Sequence, residues 1–253
     1  MLARRLIVCL DVKDGRVVKG VRFEGLRDMG DPVSLAQRYE EEGADEVTFL
    51  DISATEEGRA TLWALVQRTA ERLFIPLTVG GGVRTVEDAG RALRAGADKV
   101  CLNSAAVADP EVLTACAERF GSQAVVASID AKREEHGWRV YTHGGRRRTE
   151  WDAVGWAREC VRRGVGEVLL TSVDRDGSRE GYDVALTRAV SSSVDVPVIA
   201  SGGAGTGAHV RDALREGGAD AALVAGILHE GITTVGALKA MLRDNGIEIR
   251  SQT

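Results

Sequence analysis

Two aspartates, each at the end of an apolar run, are the residues best placed for acid and base chemistry. Asp11 ends the run 6–11 and Asp130 ends the run 124–130. Two carboxylates can share general acid and base work, because a partly desolvated position and a nearby like charge raise one pKa toward neutrality. Each aspartate could instead only cap the turn that follows it, and position alone leaves both interpretations open.

Two glycine-rich segments could bind anions. Residues 79–83 read Val-Gly-Gly-Gly-Val, and residues 200–205 read Ala-Ser-Gly-Gly-Ala-Gly. Glycines let backbone N–H groups approach an anion, and short loops before helices direct helix N-termini toward it. Each segment has a neighbour further along the chain, Asn103-Ser104 and Ala225-Gly226. The pattern predicts two phosphate sites and a substrate with a phosphate at each end. The alternative is that these glycines only permit tight turns.

The elements that position these residues follow from β-branched runs alternating with amphipathic stretches. Strands are predicted at 6–11, 47–52, 77–80, 99–103, 124–130, 168–172, 198–201 and 221–225. Helices are predicted near 32–42, 60–73, 85–95, 110–120, 152–163, 183–194, 206–216 and 234–245, several with Asp or Thr at the N-cap. Eight of each in 253 residues predict an α/β fold, a closed (β/α)8 TIM barrel, with a doubly wound open sheet as the alternative.

The sequence repeats itself at half its length. Residues 43–47 resemble 164–168 and residues 75–82 resemble 196–203, at one common offset. Gly-Ala-Asp, at 43–45, 96–98 and 218–220, marks the same helix-to-strand turn three times. The repeat predicts a single barrel domain over residues 1–253, composed of half-barrels at approximately 1–123 and 124–253. Only the segment 132–150 reads as a long excursion.

In such barrels the chemistry lies at the carboxyl ends of the strands. Side chains alternate along a strand, so Asp11 and Asp130 face each other if both point into the lumen. Lys19, in the long loop after the first strand, could swing over a phosphate ester or be a plain surface lysine. The strand ends carry Asp11, Asp51, Gly82, Asn103, Asp130, Thr171 with Asp176 beyond it, Ser201, Gly202, Gly203, Ala225 and Gly226.

The amino-terminal ends of the strands carry a second set of charged residues. Arg5, Glu46, Lys99 and Glu167 begin four strands, in columns that should face the lumen. They could form a ring at the barrel floor. Such a ring could be a stabilising polar plug or a port for a small molecule, and the residues alone favour the plug.

Composition excludes several classes of protein. The chain has 33 Lys and Arg against 38 Asp and Glu, with arginines scattered, so nucleic-acid binding is not expected. It has no apolar run long enough for a membrane span. The four histidines show no ligand spacing, so we expect surface or capping roles for them, no metal and no cofactor. Buried thiols in a reducing, cytoplasmic compartment are predicted for Cys9, Cys101, Cys116 and Cys160.

Motifs along the whole chain carry a resemblance to a known family. They are Cys9-Leu-Asp-Val, Gly15-Arg-Val-Val-Lys-Gly20, Phe49-Leu-Asp-Ile-Ser53, Thr78-Val-Gly-Gly-Gly82, Asp98-Lys-Val, Asn103-Ser-Ala-Ala106, Ile129-Asp-Ala131, Asp174-Arg-Asp-Gly177 and Ala200-Ser-Gly-Gly-Ala-Gly205. Together they resemble the cyclase subunit of imidazole glycerol phosphate synthase. The resemblance implies a lyase of histidine biosynthesis that uses ammonia made by a separate glutaminase subunit, in a heterodimer. Its bisphosphorylated ribulosyl formimino aminoimidazole carboxamide substrate would give imidazole glycerol phosphate and aminoimidazole carboxamide ribotide.

The resemblance also implies roles for single residues. Asp11 would deprotonate and Asp130 would protonate, while Lys19 would belong to a loop that closes on the substrate. Asp51, Thr171 and Asp176 would hold the polar middle of the substrate. One phosphate would bind at Gly82, Asn103 and Ser104, and the other at Gly177, Gly203, Ala225 and Gly226, next to Ser201 and Gly202. Arg5, Glu46, Lys99 and Glu167 would form an ammonia gate, with Asp98 contacting the glutaminase, and this reverses the preference for a plug.

The sequence departs from the usual family pattern at Arg22, Glu150 and Gly226, where Asn, Gly and Ser are frequent. Two rival functions stay open. A sister barrel isomerises the preceding aminoaldose with two aspartates and two phosphate sites, but the charged floor would have no purpose there. The second rival is a barrel that docks a partner and has no catalytic activity. The intact aspartates and glycine clusters argue against it.

Overall fold

The computed structural model describes residues 3–21, 24–52 and 60–251. The strands in this part of the chain are β1 (Arg5–Lys13), β2 (Arg16–Val21), β3 (Glu24–Gly30), β4 (Glu46–Asp51), β5 (Leu77–Gly80), β6 (Lys99–Leu102), β7 (Val125–Glu134), β8 (Gly137–Thr142), β9 (Arg147–Asp152), β10 (Glu167–Ser172), β11 (Val198–Ser201) and β12 (Ala221–Val224). The helices are α1 (Pro32–Glu41), α2 (Ala60–Ala70), α3 (Val86–Arg94), α4 (Ser104–Ala108), α5 (Glu111–Phe120), α6 (Ala153–Arg162), α7 (Val184–Ser191), α8 (Gly207–Arg215), α9 (Gly226–His229) and α10 (Val235–Asp244), with a 3₁₀ turn at Ser122–Ala124.

Eight parallel strands close into a barrel. Their order around it is β1, β4, β5, β6, β7, β10, β11 and β12, and β12 pairs again with β1. A helix follows each barrel strand and covers its outer face, as parallel sheets require. The predicted (β/α)8 barrel is therefore confirmed, and the open sheet is excluded because no barrel strand lacks a second neighbour.

Side chains of the barrel strands alternate between two buried layers. On β1, Leu6 and Val8 pack outward against the helices, whereas Ile7 and Cys9 pack inside the barrel. The lumen is filled by Ile7, Cys9, Cys101, Val126, Leu169, Ile199, Ala221 and Leu223. The alternation explains why each strand reads as a continuous apolar run, since both of its faces are buried.

Several outer helices begin where the sequence predicts N-caps. In each capped helix the side chain of the capping residue accepts a hydrogen bond from a backbone N–H in the first turn, which satisfies a donor that has no partner in the helix. The capping residues are Asp31, Thr85, Asp152, Asp183, Thr206 and Thr234. The short helices α4 and α9, which directly follow β6 and β12, were not predicted.

Two barrel strands run on beyond the barrel as antiparallel extensions. β1 continues into β2 and β3, and β7 continues into β8 and β9. The second extension contains the predicted excursion 132–150. Because β1 and β7 lie on opposite sides of the barrel, the two extensions flank the same mouth.

The three Gly-Ala-Asp turns tie neighbouring strands together at the opposite end. In each, the aspartate carboxylate accepts a hydrogen bond from the backbone N–H at the start of the adjacent strand, and its own N–H donates to a carbonyl there. The pairs are Asp45 with Leu6, Asp98 with Leu77, and Asp220 with Val198. The predicted equivalence of the three turns is confirmed.

All four cysteines are free and buried, as predicted. Among the described residues, no helix has the length and apolar character needed to cross a membrane.

Candidate active site

The two aspartates lie at the same level on opposite sides of the barrel. Three strands separate β1 from β7 in either direction. Asp11 is in register with Leu50, which pairs with Gly80, and Asp130 is in register with Thr171, which pairs with Ser201. Gly80 and Ser201 are the second residues of the two glycine-rich segments, 79–83 and 200–205. The carboxylates therefore occupy equivalent places beneath equivalent loops.

Asp130 lies in a partly buried polar group at the end of β7. Its Oδ2 accepts a hydrogen bond of 2.9 Å from Nδ2 of Asn103. Burial raises the pKa of Asp130 from 3.8 to about 6, the Asn103 hydrogen bond opposes that rise, and the charge of Asp176 adds to it. A carboxyl group with this pKa exchanges protons close to neutral pH.

Asn103 has one further feature. Its Oδ1 is buried and has no hydrogen-bond partner in the described part of the chain. A buried carbonyl oxygen without a partner is unfavourable, so this atom is available to a donor from a bound molecule.

Asp11 is 9% exposed and lies above Cys9 in the same lumen column of β1. The Cys9 thiol donates to Oδ1 of Asp11 over 3.6 Å. Asp51 ends β4 opposite Val12 and is half-buried, while its neighbour Leu50 packs against the lumen side chains. Side chains alternate along β4, so Asp51 does not belong to the column of lumen-facing side chains that contains Leu50.

The glycine clusters are held in a backbone conformation that other residues rarely adopt. Gly81 and Gly202 have φ values of +79° and +89°. A Cβ atom on Gly81 would lie 2.0 Å from the carbonyl oxygen of Asp51, and one on Gly202 would lie 2.6 Å from that of Ser172. The following residues, Gly82 and Gly203, also have positive φ values, +73° and +105°. Glycine is required here by close backbone approach as well as by φ.

The residues after β6 and β12 share one backbone conformation. Asn103 has φ and ψ of −129° and −92°, and Ala225 has −138° and −80°. Each precedes a short helix that begins at Ser104 or Gly226. The Ser104 hydroxyl oxygen accepts a hydrogen bond of 3.0 Å from the backbone N–H of His143, so the second extension contacts this site.

The remaining predicted mouth residues lie on loops or extensions. Asp176 and Gly177 lie in the turn after β10, where the Asp176 N–H donates to Ser172 and Gly177 has a φ of +71°. The backbone of Lys19 lies in β2 opposite Arg27, and its side chain is outside the described residues. Arg22 also lies outside them, whereas Glu150 is exposed on β9.

The four charged residues at the floor form a closed ring of ion pairs. Arg5 donates to Glu46 over 3.2 Å and also to Glu167. Lys99 donates to Glu46 and to Glu167 over 2.8 Å each. The side chains are only 2% to 18% exposed. Each cation therefore bridges both carboxylates beneath the apolar lumen.

The ring has further support from its surroundings. The Thr78 hydroxyl donates to Glu46 over 2.5 Å, a contact that the sequence did not indicate. Burial alone would lower the pKa of Arg5, but the charge of Glu167 and its hydrogen bond, followed by Glu46, raise it. Asp98 lies beside the ring and accepts the Leu77 N–H over 2.8 Å.

His229 was expected to have a surface or capping role, and this expectation is wrong. Its Nδ1 lies 2.7 Å from the hydroxyl of Tyr39, and its Nε2 lies 3.0 Å from the carbonyl oxygen of Cys9. His209 does act locally, because its Nδ1 accepts from the Gly205 N–H over 3.2 Å. Among the described residues, no group of three or more His, Cys, Asp or Glu side chains could hold a metal ion.

Comparison with known proteins agrees with this arrangement. A family model described as "Histidine biosynthesis protein" matches residues 5–234. A protein of Myxococcus xanthus named "Imidazole glycerol phosphate synthase subunit HisF" is 78% identical over 253 residues, covering all of both chains. Proteins of the same name from Geobacillus thermodenitrificans and Metallosphaera sedula are each 58% identical, over 252 and 251 residues, covering 99% of this chain and 100% of theirs. The chain belongs to the family of imidazole glycerol phosphate synthase HisF subunits, the cyclase family of histidine biosynthesis that its motifs resemble.

Proposed function

We propose that this barrel converts its bisphosphorylated formimino substrate and ammonia into imidazole glycerol phosphate and aminoimidazole carboxamide ribotide, with Asp11 and Asp130 as the acid and base pair. The observation that carries the proposal is the placement of two carboxylates at one level on opposite strands, beneath matching glycine loops. Family membership supports the reaction, and the geometry supports the residues.

The different surroundings of the two carboxylates favour different roles. Burial raises the pKa of Asp130 to about 6, which favours the proton-donating role. Asp11 accepts from a thiol and would act as the base that takes protons from the ammonia adduct. Asp51, Thr171 and Asp176 would hold the polar middle of the substrate between them.

Two phosphate groups would bind at opposite edges of the mouth. One site would use Gly82, Asn103 and Ser104, and the other Gly177, Gly203, Ala225 and Gly226, beside Ser201 and Gly202. The matching backbone conformations of Asn103 and Ala225 support two sites of similar construction. Lys19 would close over one ester from the first extension.

Ammonia would enter through the floor from a docked glutaminase, forming a heterodimer. Free ammonia in bulk water is mostly protonated and then cannot act as a nucleophile. A closed lumen lined by Ile7, Cys9 and Cys101 would carry the neutral molecule away from water. Arg5, Glu46, Lys99 and Glu167 would gate its entry, and Asp98 would contact the partner. The four buried thiols are in keeping with a cytoplasmic location.

The test is turnover of the bisphosphate substrate by the purified chain in ammonium salt at alkaline pH, with imidazole glycerol phosphate measured by chromatography. Without glutamine or partner, this isolates the chemistry of the barrel. We expect Asp11→Asn and Asp130→Asn to reduce turnover by about 10² to 10⁴-fold, the usual contribution of a positioned acid or base. Glu180→Gln removes an exposed carboxylate of the same mouth, paired with Arg175 at 3.4 Å, and should leave turnover unchanged.

Three outcomes would contradict the proposal. Activity retained in both aspartate variants would reject the acid and base pair. Turnover of the aminoaldose substrate instead would assign the chain to the sister isomerase. A folded chain inert toward both substrates would favour a role without catalysis.

A further inference from the structure

His229 joins three elements that meet beside the proposed second phosphate site. It is the last residue of α9, and its ring lies 2.7 Å from Tyr39 Oη on α1 and 3.0 Å from the Cys9 carbonyl oxygen on β1. Tyr39 is fully buried, and burial raises its pKa to about 12, so its hydroxyl keeps its proton. The imidazole therefore lies between a hydroxyl group and a backbone carbonyl that cannot donate.

These partners determine which ring nitrogen carries the proton. The Cys9 carbonyl can only accept, so Nε2 must be the donor to it. With Nε2 protonated in the neutral ring, Nδ1 is the acceptor of the Tyr39 O–H. The arrangement predicts the Nε2–H tautomer.

The bond to Cys9 forms where the pairing of β1 with β12 ends. The register between β1 and β12 ends at Val8 and Val224, one residue before Cys9 and Ala225. Beyond that point His229 forms a hydrogen bond with the Cys9 carbonyl of β1. This bond attaches α9 to the strand that carries Asp11, two residues after Cys9. The ring replaces a ladder contact that the shorter strand cannot make.

The equivalent position in the first half of the barrel carries no such bridge. Val107 follows Asn103 at the spacing at which His229 follows Ala225, and it only packs against the outer core. The first site has instead the Ser104 hydroxyl, bonded to the second extension, whereas Gly226 offers no side chain. A site built from backbone N–H groups alone depends more strongly on the placement of its helix.

We propose that His229 is a positioning residue that fixes α9 on β1 and thereby sets the backbone of Ala225 and Gly226 relative to Asp11. This inference rests on the proposed function, because it gives α9 a phosphate to bind. It assigns His229 no contact with the reacting atoms. Loss of the bridge should weaken substrate binding more than it slows the chemical steps.

The test combines kinetics with nitrogen NMR on the full chain. We expect His229→Leu, which removes the hydrogen bonds to Tyr39 and to the Cys9 carbonyl, to raise KM for the bisphosphate about tenfold while kcat falls no more than about threefold. His229→Gln can still donate to the Cys9 carbonyl and should recover part of the KM. Tyr39→Phe removes only the second bond and should shift KM less, in the same direction. Wild-type ¹⁵N shifts should show His229 as the Nε2–H tautomer.

Thr69→Val is the control. It removes one buried hydrogen bond, from the Thr69 hydroxyl to the Leu65 carbonyl in α2, away from the mouth, and should leave KM unchanged. If the wild type is active, either of two results overturns this inference alone. One is an unchanged KM in His229→Leu, and the other is the Nδ1–H tautomer of His229 in the wild type. If His229→Leu does not fold, His229→Gln and Tyr39→Phe decide by the same criterion. A wild type without cyclase activity overturns the proposed function and this inference together.

Discussion

Asn103 donates a hydrogen bond of 2.9 Å to Asp130, and so connects the end of β6 to the carboxyl group with the raised pKa on β7. The same residue begins the turn into α4, where one phosphate site is proposed. A substrate bound there would contact the residue that orients the proposed acid. One side chain would then take part in both phosphate binding and proton transfer, and would align the substrate with the carboxyl group of Asp130.

Replacing Asp130 should stabilise the protein at alkaline pH. Because the folded state raises the pKa of Asp130 from 3.8 to about 6, ionisation is easier in the unfolded chain. Its contribution to stability is present below pH about 4 and is lost as the pH rises through about 6. We expect Asp130→Asn to gain about 1–2 kcal/mol in the free energy of unfolding at pH 8 and to lose that gain near pH 4. Urea unfolding at both pH values measures this. A gain independent of pH would contradict it, and Glu180→Gln should show no gain.

Breaking the floor ring should destabilise the barrel and uncouple it from its ammonia supply. Lys99→Met leaves Glu46 and Glu167 sharing Arg5 in a poorly hydrated place, and should cost about 2–3 kcal/mol of unfolding free energy. Turnover with external ammonium salt should persist, whereas glutamine-driven turnover with the partner should fall severalfold. Arg119→Met breaks an exposed pair with Glu87, at 4.0 Å, and should change stability by less than about 0.5 kcal/mol. Equal effects of the two variants would reject a special role for the ring.

Adding one methyl group at Gly81 should be much more harmful than adding one at Gly144. Both have positive φ, +79° and +64°, but a Cβ atom on Gly81 would lie 2.0 Å from the Asp51 carbonyl oxygen, whereas nothing lies within 4 Å of one on Gly144. We expect Gly144→Ala to cost about 1 kcal/mol, from φ alone, and Gly81→Ala at least about 3 kcal/mol. Thermal unfolding of the two variants gives the comparison. Similar losses would mean that the loop can move away from β4.

A buried ion pair under α10 should show strong coupling. Lys239 donates to Asp45 over 2.7 Å, and both side chains are 4% exposed. Lys239→Met should cost about 3–5 kcal/mol, because it leaves a buried carboxylate without its cation. The double variant with Asp45→Asn should recover part of that loss, and a double-mutant cycle of unfolding free energies measures the coupling. Additive effects would show that the carboxylate relies on the Leu6 N–H rather than on Lys239.

The barrel was predictable because its signals are local. Each predicted barrel strand overlaps an observed one, since apolar runs and N-caps are properties of neighbouring residues. The helices α4 and α9 were missed because five and four residues are too few to show a helical period. The segment 132–150 was predicted as an excursion, but the strands of the extensions were missed, because β8 extends the sheet from a strand that continues past its predicted end and β9 pairs with β8. The half-barrel boundary near residue 123 stays a prediction.

The candidate site also has features that could be predicted from the sequence and features that could not. Asp11 and Asp130 were found from alternation along single strands, and the family prediction is confirmed. The roles of the individual residues stay predictions. The sequence did not indicate the bridge of His229 to Tyr39, nor the bond of Thr78 to Glu46, because their partners are distant in sequence and no spacing rule links them.

The pairing of β12 with β1 has a consequence for how the chain is made. Within the barrel, β1 gains its second neighbour from residues 221–224, and Arg4, just before β1, pairs with Ile249. During synthesis one edge of the first strand therefore stays unpaired until residues 221–249 have left the ribosome. Such long-range closure is slow and favours aggregation of incomplete chains. Emergence of residues 221–249, rather than collapse of the first half, should set the moment at which the barrel can close.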